Sequence, residues 1–346
     1  MSRSFVVKPG TRVSLAEWDP DDTADCPTEA HAEHRLAQLR AEMAELQGLL
    51  YADNRYALLV LLQGIDASGK DGTIRHVMSG LSPLGCHVTP FKQPSEEELD
   101  HDFLWRVHHV MPRRGEIAIF NRSHYEDVLI VRVHDLVPKK DWKRRYKHIN
   151  LFERVLVENG TVILKFFLHI SKDEQKRRFE ERLANPKKYW KFAASDVAER
   201  KLWDDYMRAY EAALSKCSTP WARWTIVPAN KKWVRNLVVA ETIEGLARAR
   251  HALPGCHLRS PRHRHRGASA RIGGCLAPRG ACTTRKLGLA LEVRAISMTS
   301  ATACPVPLVG ADLRRVDCRL HLGADPRRLR RRRRCCRSQP ATGFAG

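Results

Sequence analysis

The chain reads as short, wholly apolar runs separated by longer amphipathic stretches. Tyr56 to Gln63 (YALLVLLQ) has no polar residue until its end. A run of that length predicts a strand buried on both faces, as in a parallel sheet with helices on either side. Four more short runs follow: Cys86 to Pro90, Glu116 to Phe120, Thr161 to Ile170 and Trp224 to Val227. Between them the period changes to that of a helix. Residues from about 30 to 52 place Leu36, Leu39, Met43, Leu46 and Leu50 on one helical face. Asp141 to Glu158, Lys172 to Leu183, Ser195 to Ser215 and Lys231 to about Leu253 are also predicted as helices, the last one stopped by Pro254. Strands alternating with helices predict an α/β fold of βαβ units, a three-layer sandwich around a parallel central sheet.

Beyond Pro254 the periodicity is lost. HLRSPRHRHRGASA and PRRLRRRRRCCRSQP cluster Arg, Pro, Gly and Cys without a repeat. The 346 residues carry 60 Lys and Arg against 39 Asp and Glu, a net charge of +21. Residues 254–346 hold 20 of those cations, only one of them Lys, and four acids, a net +16 that leaves +5 on the first 253. The organisation expected is therefore an N-terminal extension (1–29), one domain (30–253) and an Arg/Cys-rich tail (254–346). The tail is expected to be disordered, and more in keeping with sequence not under selection than with a basic arm for polyanions. Seven of the ten cysteines lie in the tail without zinc-ligand spacing. Cys26, Cys86 and Cys217 form no disulfide framework, so a reducing compartment is expected for the body. MSRSFVVKPG lacks the apolar core of a signal peptide, and Ala57 to Leu62 is too short to cross a bilayer, so the expectation is a cytoplasmic protein away from membranes. The first helix uses its apolar face either to cover the sheet or to pair subunits, so a homo-oligomer is allowed.

Directly after the first strand comes Gly64-Ile65-Asp66-Ala67-Ser68-Gly69-Lys70-Asp71-Gly72-Thr73. Gly64, Gly69 and Lys70 fit the spacing GxxxxGK of a phosphate loop. Glycines let backbone N–H groups converge on phosphate oxygens, the following helix adds its positive end, and the lysine supplies a charge. Gly64, Ala67, Ser68, Gly69, Lys70, Asp71 and Gly72 are therefore the expected phosphate-binding residues. Asp71 stands where Ser or Thr usually ligates magnesium. Asp66 lies inside the loop, where a carboxylate holds a metal, acts on a phosphate acceptor, or caps the backbone. A second cluster, Asn121-Arg122-Ser123-His124-Tyr125-Glu126-Asp127, follows the strand ending at Phe120. Arg122 suits a phosphate fork, and Glu126 and Asp127 are candidate metal ligands with Asp66. A third, basic cluster runs from Lys172 to Arg182 and on through Lys187, and predicts a helical lid over about 172–195. Arg178 and Arg182 share one helical face there and point to phosphate, as does Lys187.

Taken together, these segments resemble the polyphosphate kinase 2 family. The resemblance runs over about residues 30–250 through GIDASGKDGTIRHVMSGLSPLGCHV, FKQPSEEELDHDFLWR, IFNRSHYEDVL, ISKDEQKRRFEERL, PKKYWKF, WDDYMRAYEAAL and STPWARWTIVPANKKWVRN. NRSHYEDVL resembles the branch that phosphorylates AMP as well as ADP. The resemblance implies a thymidylate-kinase-like P-loop core with a lid, and magnesium (or manganese) between phosphates. It also implies inorganic polyphosphate in a basic channel and an adenine nucleotide as acceptor, with a guanine nucleotide as a further option. Carried over residue by residue, it makes Asp66, Lys70, Arg122 and Arg182 the residues of transfer. Asn121 stands where another branch has an aspartate, which directs the search for metal ligands to Glu126 and Asp127. The competing expectations are an ATP-dependent nucleoside monophosphate kinase of the same fold and, more remotely, a nucleic-acid binder driven by the tail.

Overall fold

The computed structural model describes residues 5–187 and 194–251. The tail 254–346 lies outside the described residues, as do Lys188 to Ala193 of the expected lid. The helices are α1 (Glu29–Asp53), α2 (Lys70–Val77), α3 (Glu96–Leu99), α4 (Trp105–His108), α5 (Ile130–Val133), α6 (Lys139–Glu158), α7 (Lys172–Ala184), α8 (Ala194–Lys201), α9 (Trp203–Cys217) and α10 (Lys232–His251). The strands are β1 (Ala57–Gln63), β2 (Cys86–Pro90), β3 (Ile117–Asn121), β4 (Thr161–His169) and β5 (Trp224–Pro228).

All four strand pairings are parallel, in the order β2-β3-β1-β4-β5. Each predicted apolar run became a strand, because a strand covered on both faces has no polar positions to disguise it. All seven residues of β1 are buried. One helix group, α1, α2 and α10, packs together; α5, α6 and α9 form the other. The apolar face of α1 is used within the chain: Ala32, Leu36, Leu39 and Met43 are buried where α1 meets α10. The predicted helix from Ser195 to Ser215 is instead two helices broken at Leu202. Arg200 donates to the Lys172 carbonyl at 2.6 Å and to Gln175 Oε1 at 2.9 Å, holding α8 on α7, while Trp203 enters the core.

The first residues do more than extend the chain. Val7 N donates to the Trp224 carbonyl at 2.8 Å and Ile226 N donates to the Phe5 carbonyl at 2.9 Å, an antiparallel strap along β5. Val7, Val13, Leu15 and Cys26 are buried beneath it. The strap covers an edge whose backbone groups would otherwise remain unpaired.

Behind the sheet's carboxyl end lies a buried ionic network. Lys165 Nζ on β4 donates to Glu153 Oε2 of α6 at 2.7 Å, the Tyr125 hydroxyl at 2.9 Å and the Cys217 carbonyl at 2.6 Å. Tyr125 in turn donates to Glu153 Oε1 at 2.8 Å. Lys165, Glu153 and Tyr125 are fully buried. The network fixes Tyr125 and with it the turn His124–Val128 that follows β3. Burial alone raises the Glu153 carboxyl, but Lys165 and then His124 more than offset this and hold it below the usual value. A depressed carboxyl contributes stability that is full above its unfolded pKa and is lost as pH falls through the folded one. Glu153→Gln, which leaves Lys165 buried without its counter-charge, is expected to cost about 3–5 kcal/mol at neutral pH. Urea denaturation is the measurement, and the gap from wild type should narrow on acidification.

Candidate phosphate-transfer site

β1 and β3 end side by side, with Leu62 registered opposite Asn121, so the segments that leave them emerge together. The carboxyl ends of adjacent parallel strands are where such sheets place their sites. Arg122 N donates to the Leu62 carbonyl at 3.1 Å, tying the two exits. Arg122 itself sits at φ +64°, in the left-handed region that few side-chain-bearing residues adopt, and Ala67 in the loop sits at φ +63°. Such conformations persist only where the surroundings enforce them, and they concentrate at working sites. Gly64 is required by proximity. A Cβ there would lie 2.6 Å from Ser68 Oγ and 2.9 Å from the Leu168 carbonyl oxygen.

Gly69 caps α2 at φ +102°, and Lys70 opens the helix. The Lys70 ammonium is folded onto its own loop, donating to the Gly64 carbonyl at 2.6 Å and the Ile65 carbonyl at 3.3 Å. Burial pushes its pKa down while the nearby Asp66 opposes the shift. Arg122 Nη2 meets Asp66 Oδ1 at 2.9 Å, with about a third of each side chain exposed to the cleft. Glu126 adjoins this group. Its carboxyl is raised by burial, against the pull of Arg122 and Lys70. Asp66, Lys70, Arg122 and Glu126 thus lie together at the loop.

Asn121 Nδ2 donates to Asp71 Oδ1 at 2.8 Å. The amide explains why a loop carrying Asp71 has no aspartate at 121: two carboxylates would face each other there. Asp127 is placed differently from Glu126. It accepts from Arg145 Nη1 at 2.7 Å, and burial lifts its pKa to about 6 against the pull of Arg145 and Arg106. Its carboxylate is engaged with α6 instead of the loop.

Arg178 is a second departure from expectation. Its Nε donates to Glu174 Oε1 at 2.7 Å, Nη1 to the carbonyls of Ala67 and Ser68 at 2.8 and 2.9 Å, and Nη2 to those of Ala229 and Asn230 at 2.5 and 3.0 Å. All five donors are committed, so Arg178 buttresses the loop rather than offering a free fork. Gln175 Nε2 adds a bond to the Asp66 carbonyl at 3.0 Å. The first turns of α7 are therefore bolted to the phosphate loop, and any lid begins farther along. Arg182 lines the cleft and reaches Asp196 Oδ2 of α8 at 3.7 Å. Lys187 is exposed after α7, outside the residues that line the cleft.

The cleft over the loop is about 660 Å³ and is bordered by Asp66, Lys70, Asn121, Arg122 and Arg182. It also reaches Lys92, Lys232 and Arg235, which sequence reasoning did not single out. For Arg235 a signal existed: WVRNLVV sets a cation within an apolar run whose Val234, Leu237 and Val238 are buried.

A family model described as polyphosphate kinase 2 matches residues 27–252. The chain belongs to the polyphosphate kinase 2 family. An AMP/ADP-polyphosphate phosphotransferase of Meiothermus ruber is 53% identical over 250 residues, spanning 71% of this chain and 94% of the relative. An ADP-polyphosphate phosphotransferase of Rhodopseudomonas palustris is 47% identical over 262 residues, 71% of this chain and 90% of that one. Among solved structures, polyphosphate kinase 2 from Arthrobacter aurescens TC1 superposes with a TM-score of 0.69 at 43% identity, over 72% of this chain and 90% of that chain. Thus the P-loop kinase architecture and the membership of a transferase family expected from sequence both hold. Among the described residues no helix is long and apolar enough to cross a membrane.

Gly64→Ala should weaken tripolyphosphate binding by at least about tenfold, or ~1.4 kcal/mol. The clash falls on Ser68 of the loop and on the Leu168 carbonyl at the end of β4, away from the centre of the sheet, so the fold, followed by circular dichroism, should remain. Titration calorimetry with tripolyphosphate is the check.

Proposed function

We propose that this protein transfers the terminal phosphoryl group of inorganic polyphosphate to AMP, ADP or both, reversibly and with a divalent cation. The observation that carries the proposal is the convergence of Lys70, Arg122, Asp66 and Glu126 on one phosphate loop. The names of the relatives, which specify polyphosphate with AMP or ADP, supply the substrate class. Residues 30–253 are the transferring domain in this reading, and the reducing cytoplasm is its setting.

The transfer is an in-line displacement. A phosphate oxygen of AMP or ADP forms the new O–P bond, and the bridging P–O bond to the shortened polyphosphate breaks, leaving that chain with the charge. The acceptor oxygen is already ionised, so no strong general base is required, and the work is positioning and neutralisation. Lys70 exchanges its loop carbonyls for oxygens of the transferred group, and Arg122 turns from Asp66 toward the same group. Arg182, approaching from α7, adds charge as the cleft closes. Asp66 and Glu126 fit a magnesium ion, with manganese as a substitute. Among the described residues no three acidic, His or Cys side chains form a complete metal cage. Magnesium in phosphate-transfer sites is commonly held by one or two carboxylates plus phosphate oxygens and water. When bound, the ion would supply neutralisation of phosphate charge.

Incubation of the full chain with AMP or ADP, polyphosphate and magnesium, without ATP, should yield ADP or ATP. If product forms only when ATP replaces polyphosphate, the protein is a nucleoside monophosphate kinase instead. A panel including GMP and GDP reads base preference, and chelation of the metal should abolish turnover. Lys70→Ala should lower kcat by about 10²–10³-fold, the scale seen when one donor to developing charge is removed. Its urea midpoint should stay near that of wild type.

A further inference from the structure

Arg235 has a chemical position unlike any other cation around the loop. It lies on α10, is only 3% exposed, and still borders the cleft. Its guanidinium is set edge-on against the start of α2. A Cβ added at Gly69 would collide with Nη1, and one added at Gly72 would lie 3.3 Å from Nη2. Gly69 is required by its φ of +102° in any case, and the absence of a side chain there and at Gly72 lets the guanidinium lie against the backbone of the first turn.

The surroundings do not balance its charge. Nε and Nη2 both donate to the side-chain oxygen of Asn236, at 3.2 and 2.8 Å, and among the described residues that is the acceptor the guanidinium has. Arg178 acts on it as a like charge, its own donors already committed. Burial first, and Arg178 second, push the Arg235 pKa down to about 9, so it remains a cation at neutral pH at a cost. A buried cation without a carboxylate, aimed into a cleft at a helix N-terminus, is a site that an anion completes. Asn236 holds the fork in one orientation, which reduces the ordering needed when a ligand arrives.

The position differs from that of the transfer group. Asn121 and Arg122 approach the loop from β3, through Asp71 and Asp66. Arg235 approaches from α10, through Gly69 and Gly72. Lys232, one turn earlier on α10, lines the same side of the cleft. We infer that Arg235 binds a non-transferred phosphate of the donor chain, seated over the first turn of α2, and so fixes the path of a linear polyphosphate across the loop toward α10. The inference rests on the polyphosphate reading proposed above for the identity of the donor, but not for the existence of the anion site.

The test compares wild type, Arg235→Met and Arg235→Lys as full-length proteins. A contact made to a phosphate that does not react contributes equally before and in the transition state, so its loss appears chiefly in KM. For Arg235→Met, KM for polyphosphate should rise by at least about tenfold, with a smaller fall in kcat and KM for the nucleotide moving less than about twofold. Arg235→Lys keeps the charge but not the planar fork, and its polyphosphate KM should lie between the two. Melting without ligand separates binding from structure. Arg235→Met should melt at or above the wild-type temperature, because an uncompensated buried charge has been removed, and should lose the upward shift that tripolyphosphate gives wild type. A lower melting temperature for the free Met variant would make Arg235 a structural residue and overturn the inference. An unchanged polyphosphate KM in both variants, or a loss in kcat alone, would overturn it as well. If wild type fails to use polyphosphate yet tripolyphosphate still protects it and not Arg235→Met, the donor assignment falls and the anion site stands.

Discussion

The arrangement depends on one constraint: β1 and β3 are adjacent, parallel and in register to their ends. Leu62 faces Asn121 across the ladder, and the next amide, that of Arg122, closes on the Leu62 carbonyl at 3.1 Å. Everything placed at the phosphate loop from β3 inherits its position from that ladder. Because both strands are buried on both faces, a slip of register would exchange the side chains packed against the two helix layers and disrupt both. The loop is therefore held by the sheet's packing energy, and not by its own few bonds. The strained conformations at Ala67 and Arg122 are tolerable on that account.

Around this frame the protein uses buried cations in three distinct ways. Lys165 is fully paired within the core, and its task is to hold Tyr125 and the turn carrying Glu126. Arg178 is saturated by carbonyls and Glu174, which converts a charge into a mechanical tie between α7, the phosphate loop and the β5–α10 junction. Among the described residues, Arg235 is held by one amide oxygen. Charge by itself does not distinguish them; the count of acceptors does. A saturated guanidinium gains little from an incoming phosphate, whereas an undersupplied one gains the full charge-assisted bond.

That difference also marks how far the amino-acid sequence could be read. The strands were legible because burial on both faces erases polar positions, and the phosphate loop because its spacing is set by backbone geometry. Arg122, Asp66 and Lys70 were legible for the same reason, since each lies within a few residues of a strand end. The partners of charged residues were not. Lys165 interrupts an apolar strand and so announces a buried ion pair, but nothing local says that Glu153, twelve residues earlier, is its partner. Arg178 and Arg182 share a helical face and look equivalent in sequence. The four carbonyls that claim Arg178 come from two segments, 67–68 and 229–230, that only the tertiary fold brings to it. Glu126 and Asp127 diverge for a similar reason: in a turn of 3-10 helix successive side chains are set about 120° apart, and Arg145 of α6 meets that of Asp127. The strap of residues 5–28 has too few apolar positions to show a period, and it gains order only from the β5 edge it covers.

The cations at this cleft do not compete equally for a ligand. Lys70 must give up bonds to two loop carbonyls, and Arg122 must leave Asp66, before either grips a phosphate. Those exchanges lower the net gain from the transferred group, which suits a residue whose contact should strengthen as charge develops. An arginine with unused donors has nothing to exchange. It is better suited to holding a part of the substrate that does not react. A chain of phosphates offers both kinds of group a few ångströms apart, and a mononucleotide acceptor alone does not. The division between exchanging and unexchanging cations thus matches a polymeric phosphate donor more closely than it matches a compact one.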